Sequence, residues 1–296
     1  MRGGVIDLGT NTFNLLIFEK KGGKSTIIHV DRAPVGLGLG GINENFIAEE
    51  AFKRGVDTIL RFKEVCNQYK VDVLKAFGTS ALRGAKNTLD FCNTIKSKTA
   101  IQIDVIPGER EASLIYKGVS SVHKFEKDSC IMDIGGGSTE FILVNSEKPV
   151  EMKSFDIGVS RIIQLFDLSD PLSADDQQKI THFFESQTSP FFEVSKSDVL
   201  IGASGSFDTY YELIYGEEYT GLSNSSLLEF NKLQEVLDML IHTTLAQRSA
   251  NEYIVDLRKK MIHVAAFKTQ WVIQKLGIKE AWVSPASLKE GVMMEM

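Results

Sequence analysis

The sequence predicts an α/β protein built from two duplicated halves that face each other across a cleft. Three observations predict it. First, a short motif occurs twice, as Val5-Ile6-Asp7-Leu8-Gly9-Thr10-Asn11-Thr12 and as Ile131-Met132-Asp133-Ile134-Gly135-Gly136-Gly137-Ser138. Each copy runs two apolar residues, Asp, an apolar residue, Gly, two turn residues and a hydroxyl, then continues into an apolar strand. Second, later echoes keep the same order: Ala76-Phe77-Gly78-Thr79-Ser80-Ala81 against Leu200-Ile201-Gly202-Ala203-Ser204-Gly205, and Val105-Ile106-Pro107 against Val283-Ser284-Pro285. Third, each copy opens with strands joined by tight turns and goes on in alternating helices and strands, the pattern of a layered α/β domain.

In order, Gly4–Leu8 reads as a strand, Gly9–Thr12 as a turn, Phe13–Glu19 and Ser25–Val30 as further strands. Pro34–Asn45 is a glycine-rich loop. Phe46–Gln68 has helical spacing through Ala51, Val56, Ile59, Leu60, Phe62 and Val65. Val71–Phe77 is a strand, Ala81–Lys98 mostly helix, Ile101–Ile106 a strand, and a helix starts at about Glu109. In the second half Leu227, Phe230, Leu233, Val236, Leu237, Leu240 and Ile241 lie on one helical face. Ile254, Leu257, Met261, Val264, Ala265 and Lys268 predict another helix, with core packing as its role. The expected division is residues 1–118 and 119–285, the second domain carrying the extra helices. Residues 286–296 are a candidate helix of the first domain.

The chain has 296 residues, enough for two domains of about 100–200 residues each. The net charge of −6 argues against a nucleic-acid coat, which needs many Lys and Arg. Cys66, Cys92 and Cys130 have no metal-like spacing and form no even framework, which suggests a reducing compartment. Asp7, Asn11 and Asn14 interrupt the N-terminal apolar run, unlike a signal peptide. No apolar run reaches about 18 residues, so no membrane span is expected. The expected location is the cytoplasm.

Consecutive glycines Gly135, Gly136 and Gly137 can take backbone angles closed to other residues. Their N–H groups can turn together toward an anion, a nest for phosphate. Asp133 and Glu140 flank that turn. Two carboxylates beside a phosphate nest suggest Mg²⁺, which takes oxygen ligands and keeps several waters. The competing reading is an ordinary hairpin with solvated acids. Gly202–Ser206 is a second nest candidate, with Gly205 and Ser206 available to phosphate. The five histidines form no close cluster and are not read as metal ligands.

The motifs Asp7–Phe13, Gly78–Asn87, Gly108–Tyr116, Asp133–Glu140 and Gly202–Ser206, in this order, resemble the exopolyphosphatase/guanosine pentaphosphate phosphatase (Ppx/GppA) family of the actin-like ATPase superfamily. The resemblance covers nearly the whole chain. It implies two actin-like (ribonuclease H-like) domains and hydrolysis of the terminal phosphate of inorganic polyphosphate, of guanosine pentaphosphate (pppGpp), or of both, with Mg²⁺ and water. Carried onto this sequence, Glu111 matches the family's catalytic glutamate and Arg83 an arginine at the cleft, suited to a bidentate phosphate clamp. Spacing alone leaves Glu109 and Glu111 open as base, since residues two apart on a helix point about 200° apart. Thr10, Asn11, Thr12, Gly135, Gly136, Gly137 and Ser138 are the expected phosphate contacts, and Asp7, Asp133 and Glu140 the expected metal ligands.

Two features depart from the family pattern. The late helix reads Arg258-Lys259-Lys260, where an acid is expected soon after the arginine. The final strand end, Ser284-Pro285-Ala286-Ser287, has no glycine. The resemblance is to a short form without the further C-terminal domain of some members, which leaves a homodimer open. Arg32, Arg83, Lys86, Arg161, Arg258, Lys259 and Lys260 are the candidate groove cations. Two alternative readings stand beside the hydrolase: a non-catalytic polyphosphate or alarmone sensor, and an actin-like kinase acting on a small molecule.

Overall fold

The computed structural model of the chain describes residues 1–145, 148–193, 196–221 and 223–296. The first half runs β1 (Arg2–Leu8), β2 (Thr12–Lys21), β3 (Lys24–Pro34), α1 (Glu49–Gln68), β4 (Val73–Gly78), α2 (Ser80–Gly84), α3 (Thr88–Thr99), β5 (Ile103–Val105) and α4 (Gly108–Ser120). The second runs β6 (Ser129–Ile134), β7 (Thr139–Asn145), β8 (Lys148–Phe155), α5 (Val159–Leu165), α6 (Ala174–Thr188), β9 (Val199–Gly202), α7 (Gly205–Tyr215), β10 (Ser226–Leu228), α8 (Phe230–His242), α9 (Leu245–Ala250), α10 (Asp256–Lys259), α11 (Ile262–Leu276), β11 (Glu280–Val283) and α12 (Leu288–Met294). The turn expected after Val144 falls on residues 146–147, outside the described residues.

The sheets repeat one plan. The first has strand order β3-β2-β1-β4-β5; the second has β8-β7-β6-β9-β11 with β10 added at the far edge. In each, the Asp-bearing strand pairs antiparallel with the next strand and parallel with the one after the crossover. Register puts Asp7 opposite Asn14 and Asp133 opposite Glu140. This is a duplicated α/β architecture. The central strands are buried on both faces, which is why Val5, Ile6, Leu8 and Cys130, Ile131, Met132 read as apolar runs and not as an alternation.

Three apolar clusters follow from the plan. Ile6, Leu8 and Phe13 pack outward on Ile59, Phe62, Phe91 and Ile95 of α1 and α3. Met132, Phe141 and Leu200 pack on Phe207, Leu237 and Val272 of α7, α8 and α11. The third cluster joins the halves: Val5, Leu16 and Phe18 meet Ile115 and Val119 of α4, Leu288 and Val292 of α12, and Ile131, Ile142 and Ile201 of the second sheet. α12 packs against α4 and β1. Burying one such side chain is worth about 1.5–3 kcal/mol, so this layer ties the two sheets firmly.

Three local expectations are corrected. Leu227 lies on the edge strand β10, paired with Trp282, and not on the α8 face. The helix predicted over Ile254–Lys268 is two helices, α10 and α11, with Met261 turned out of helical geometry at the junction. The cause is Arg248, whose Nε takes the Lys259 carbonyl at 2.9 Å, a group a continuous helix would need for its own ladder. The helix over Ala81–Lys98 is divided into α2 and α3. There the Asn87 amide is fixed to both backbone groups of Ile47, and Thr88 Oγ1 donates to the Ala85 carbonyl at 2.8 Å.

Candidate active site

The two turns after β1 and β6 have the same internal bond. Gly9 N donates to Thr12 O at 3.1 Å, and Gly135 N to Ser138 O at 3.0 Å. Each turn's carbonyls are then held from behind. In the first, Gly36 N donates to Asn11 O at 2.8 Å and Gly38 N to Thr10 O at 3.1 Å. In the second, the start of α5 does this work: Val159 N donates to Gly135 O, Ser160 N and Arg161 N to Gly136 O, and Gly158 N to Gly137 O, all within 3.1 Å. A trans peptide points its N–H opposite to its C=O. The N–H groups of Asn11 and Thr12, and of Gly136, Gly137 and Ser138, therefore face away from these supports, toward the cleft. Gly158 has to be glycine, because a Cβ there would overlap the backbone of Gly136 and Gly137.

The turns meet across a cavity of about 480 Å³. It is lined by Asp7, Thr10, Asn11, Thr12, Glu111, Asp133, Gly135, Gly136, Gly137, Ser138, Glu140, Gly205 and Ser206, so these expected site residues share one space. The tip of the first turn is tied to α5: Ser160 Oγ donates to Asn11 Oδ1 at 2.7 Å. Behind them, the glycine-rich loop after β3 is strapped to α5. Gly40 N donates to Gln164 Oε1 at 2.9 Å, Gln164 Nε2 to Gly38 O at 3.2 Å, Asn43 Nδ2 to Arg161 O at 3.1 Å, and Arg161 Nη1 to Ile42 O at 3.3 Å.

The four carboxylates are separately oriented. Asp7 accepts from Asn14 Nδ2 at 2.9 Å, and Asp133 from Ser287 Oγ. Glu140 accepts from Ser138 Oγ and Ser154 Oγ, both at 2.6 Å. Glu111 is 7% exposed and accepts from Arg83 Nη1 at 2.9 Å. Burial pushes the Asp7 carboxyl up to about 6, against the Asn14 hydrogen bond. Burial and then the Glu140 charge push Asp133 up to about 8. Glu111 is raised by burial and then by Glu140, against Arg83. Glu140 is raised by burial, against its two serine donors. Four carboxyl groups thus share one buried space, each held up by burial.

Packing separates the two helix-start glutamates that spacing left open. Glu111 lines the cavity, whereas the Glu109 side chain is 77% exposed, 3.9 Å from Lys153. Arg83 does not line the cavity. Its guanidinium is given to Glu111, to the Ile106 carbonyl at 3.2 Å and to Ser154 Oγ at 3.3 Å, so it clamps the glutamate and not open space. Of the groove cations, Arg32 and Arg258 line the cavity, Arg161 belongs to the strap, and Lys259 pairs with Asp256. Lys86 and Lys260 are not among the lining residues. Sequence reasoning passed over Lys289, Ser80 and Ser204, all of which line the cavity. It also missed Lys268 as a support. Lys268 lies fully buried under the second turn and donates to Thr139 Oγ1 at 2.8 Å and to the Ile157 carbonyl.

Among the described residues no three His, Cys, Asp or Glu stand together as a ready metal cage. The donors present are nevertheless all hard oxygens. A Mg²⁺ ion held by one or two carboxylates, waters and a ligand's phosphates fits such a donor set.

The family model described as the Ppx/GppA phosphatase family matches residues 16–296. A guanosine-5'-triphosphate,3'-diphosphate pyrophosphatase of Photobacterium profundum is 26% identical over 299 residues, covering 98% of this chain and 58% of that protein. A bifunctional 3-dehydroquinate synthase/phosphatase of Fusobacterium nucleatum is 30% identical over 244 residues, covering 76% of this chain and 37% of that protein. The chain therefore spans about half the length of the curated relatives it matches. A crystal structure of an exopolyphosphatase from Cytophaga hutchinsonii superposes with a TM-score of 0.95 at 35% identity, covering 100% of this chain and 98% of that one. The Aquifex aeolicus member of the Ppx/GppA family gives 0.83 at 25% identity, covering 100% and 97%.

Proposed function

Because the chain belongs to the Ppx/GppA phosphatase family, we propose that it hydrolyses a terminal phosphoanhydride, with inorganic polyphosphate or pppGpp as substrate and Glu111 as general base. The observation that carries this reading is the placement of the buried Glu111 carboxylate on the cavity into which both turns direct their N–H groups. In phosphoryl transfer positioning and charge stabilisation do most of the work. The terminal phosphoryl group lies between the turns, its oxygens held by N–H groups of Asn11, Thr12, Gly136, Gly137 and Ser138. A water oxygen attacks phosphorus, its proton passes to the Glu111 carboxylate, and the anhydride P–O bond breaks. Orthophosphate and a chain one phosphate shorter leave.

Arg83 orients Glu111 through its 2.9 Å bond and keeps the carboxylate aimed at the cavity. Asp7, Asp133 and Glu140 would hold Mg²⁺, partly through waters. When bound, Mg²⁺ supplies the charge that neutralises the phosphoryl oxygens. Arg32, Arg258 and Lys289 also line the cavity, and in this reading they accompany the rest of the substrate.

The test is phosphate release from polyphosphate and from pppGpp in Mg²⁺, wild type beside Glu111→Gln. Loss of a general base is expected to lower turnover by about 10²–10⁴-fold with an unchanged circular dichroism spectrum. A fully active, folded Glu111→Gln protein removes Glu111 as base. A wild-type protein that turns over neither substrate removes the hydrolase reading. Calcium-free magnesium titration followed by tryptophan fluorescence checks the metal separately from activity, with Glu140→Gln expected to weaken it.

A further inference from the structure

Seven side-chain nitrogen or oxygen atoms are buried without a hydrogen-bond partner among the described residues, and only Ser80 Oγ and Ser204 Oγ belong to residues lining the cleft. These two serines are counterparts in the duplication. Each stands two residues beyond the glycine that ends the parallel strand, Gly78 on β4 and Gly202 on β9. A buried hydroxyl with no partner is costly, and such a group in a native interior calls for a partner the protein itself does not supply. That both halves keep one at the same point, on the same cavity, argues against accident.

Their surroundings differ. Ser80, 4% exposed, lies beside the turn tips: its Oγ is 2.5 Å, and Thr10 Oγ1 2.7 Å, from the point a Cβ on Gly137 would occupy. Ser204 precedes Gly205, which is covered by the Arg258 guanidinium. The registers also differ. Gly78 is opposite Leu8, but Gly202 is opposite Met132, two residues earlier in the motif. At about 3.3 Å per residue this sets Ser204 back by about 7 Å relative to Ser80. A serine hydroxyl reaches three staggered positions about its Cα–Cβ bond, so the cavity each residue lines is within its reach.

We infer that Ser80 and Ser204 are phosphate-binding residues at two separate positions along the substrate, Ser80 on the phosphoryl group between the turns and Ser204 on a phosphate further along, beside Arg258. Each O–H donates to a phosphoryl oxygen. This deepens the phosphate-cleft reading and rests on it for the site, but it does not require turnover. The test is calorimetric binding of inorganic phosphate and of inorganic tripolyphosphate in Mg²⁺ to wild type, Ser80→Ala and Ser204→Ala, with the melting temperature of each ligand-free protein. Losing one hydrogen bond to a charged oxygen is expected to weaken binding about tenfold. Ser80→Ala should weaken both probes. Ser204→Ala should weaken tripolyphosphate and leave orthophosphate within about twofold, with Ser204→Thr restoring it. Neither alanine should lower the ligand-free melting temperature, because no protein hydrogen bond is lost. Wild-type affinity for tripolyphosphate in either alanine variant, or destabilisation without ligand, overturns the inference. Serine-dependent binding by a wild-type protein that hydrolyses neither polyphosphate nor pppGpp sinks the hydrolase reading and keeps this one.

Discussion

In the first half the turn's carbonyls are held by a glycine loop; in the second they are held by the first turn of a helix. The backbone task is the same and the means differ. Gly36 and Gly38 supply two donors in the first half, whereas Gly158, Val159, Ser160 and Arg161 supply four in the second. Charge diverges as well. The residue opposite the motif aspartate is the neutral Asn14 in one half and Glu140 in the other. The buried Lys268 stands under the second turn, where burial brings its ammonium down to about 7 against the Glu140 charge. Duplication therefore preserved a geometry for presenting N–H groups, while only the second half set an acid opposite the motif aspartate.

Paired substitutions test that division. The largest effect is expected at the residue opposite each aspartate. Glu140→Gln should lower kcat/KM by about 10²–10³-fold, the range for losing a transition-state electrostatic contact. Asn14→Ala should cost less than about tenfold, the worth of one hydrogen bond. Equal losses in steady-state phosphate release would show that the halves share the charge work after all.

Next comes support of the second turn. Gly158→Ala forces a methyl group into backbone that cannot yield, and should cost about 3 kcal/mol in urea unfolding, the upper end for overpacking. An unchanged midpoint would mean that α5 can move off the turn.

The acid limb should also belong to the second half. His263 on α11 is held down to about 4 by burial and then by Arg248, against Asp170, from an ordinary 6.5. It stays neutral when folded and takes a proton when unfolded, so its contribution is full above pH 6.5 and is lost as pH falls toward 4. The loss is about 3 kcal/mol. Trp271 and Trp282 both lie in the second half, so tryptophan fluorescence reports this limb directly. His263→Leu should flatten it between pH 6.5 and 4, and a limb of unchanged steepness would point to another group.

The smallest effect is expected at Gly38. There a methyl group meets side-chain atoms, Thr10 Cγ2 at 2.5 Å and Ile42 Cδ1 at 3.1 Å, not backbone. Gly38→Ala should cost about 1 kcal/mol. A loss as large as that of Gly158→Ala would make the two supports equally rigid.

The duplicated strand–turn–strand openings and the facing turns were legible because their signals are contiguous: Asp, glycine and hydroxyl at fixed offsets, repeated, inside apolar runs. The split between α10 and α11 was not, because Leu257, Met261 and Val264 keep helical phase across a break made by the distant Arg248. Leu227 misled for a related reason, as its apolar phase matches α8 although it pairs with Trp282. Arg83 was assigned to the cleft, but its hold on Glu111 joins α2 to α4, a contact no local pattern encodes. Ser80 lay inside a recognised motif without standing out, since a serine looks the same whether or not its hydroxyl finds a partner. Spacing could not choose Glu111 over Glu109, although the resemblance did; the packing of α4 faces Glu111 inward and leaves Glu109 in solvent.

The hydrogen bonds that carry the loop after β3 across to Arg161 and Gln164 put a floor behind the turns. Ile42 closes against Gly137, and Gly38 against Thr10. The gap is thus backed by chain on this side. For the proposed hydrolysis, a phosphate filament would then meet the turns with its tip, and a filament with bulky caps on both tips would be spared at any length.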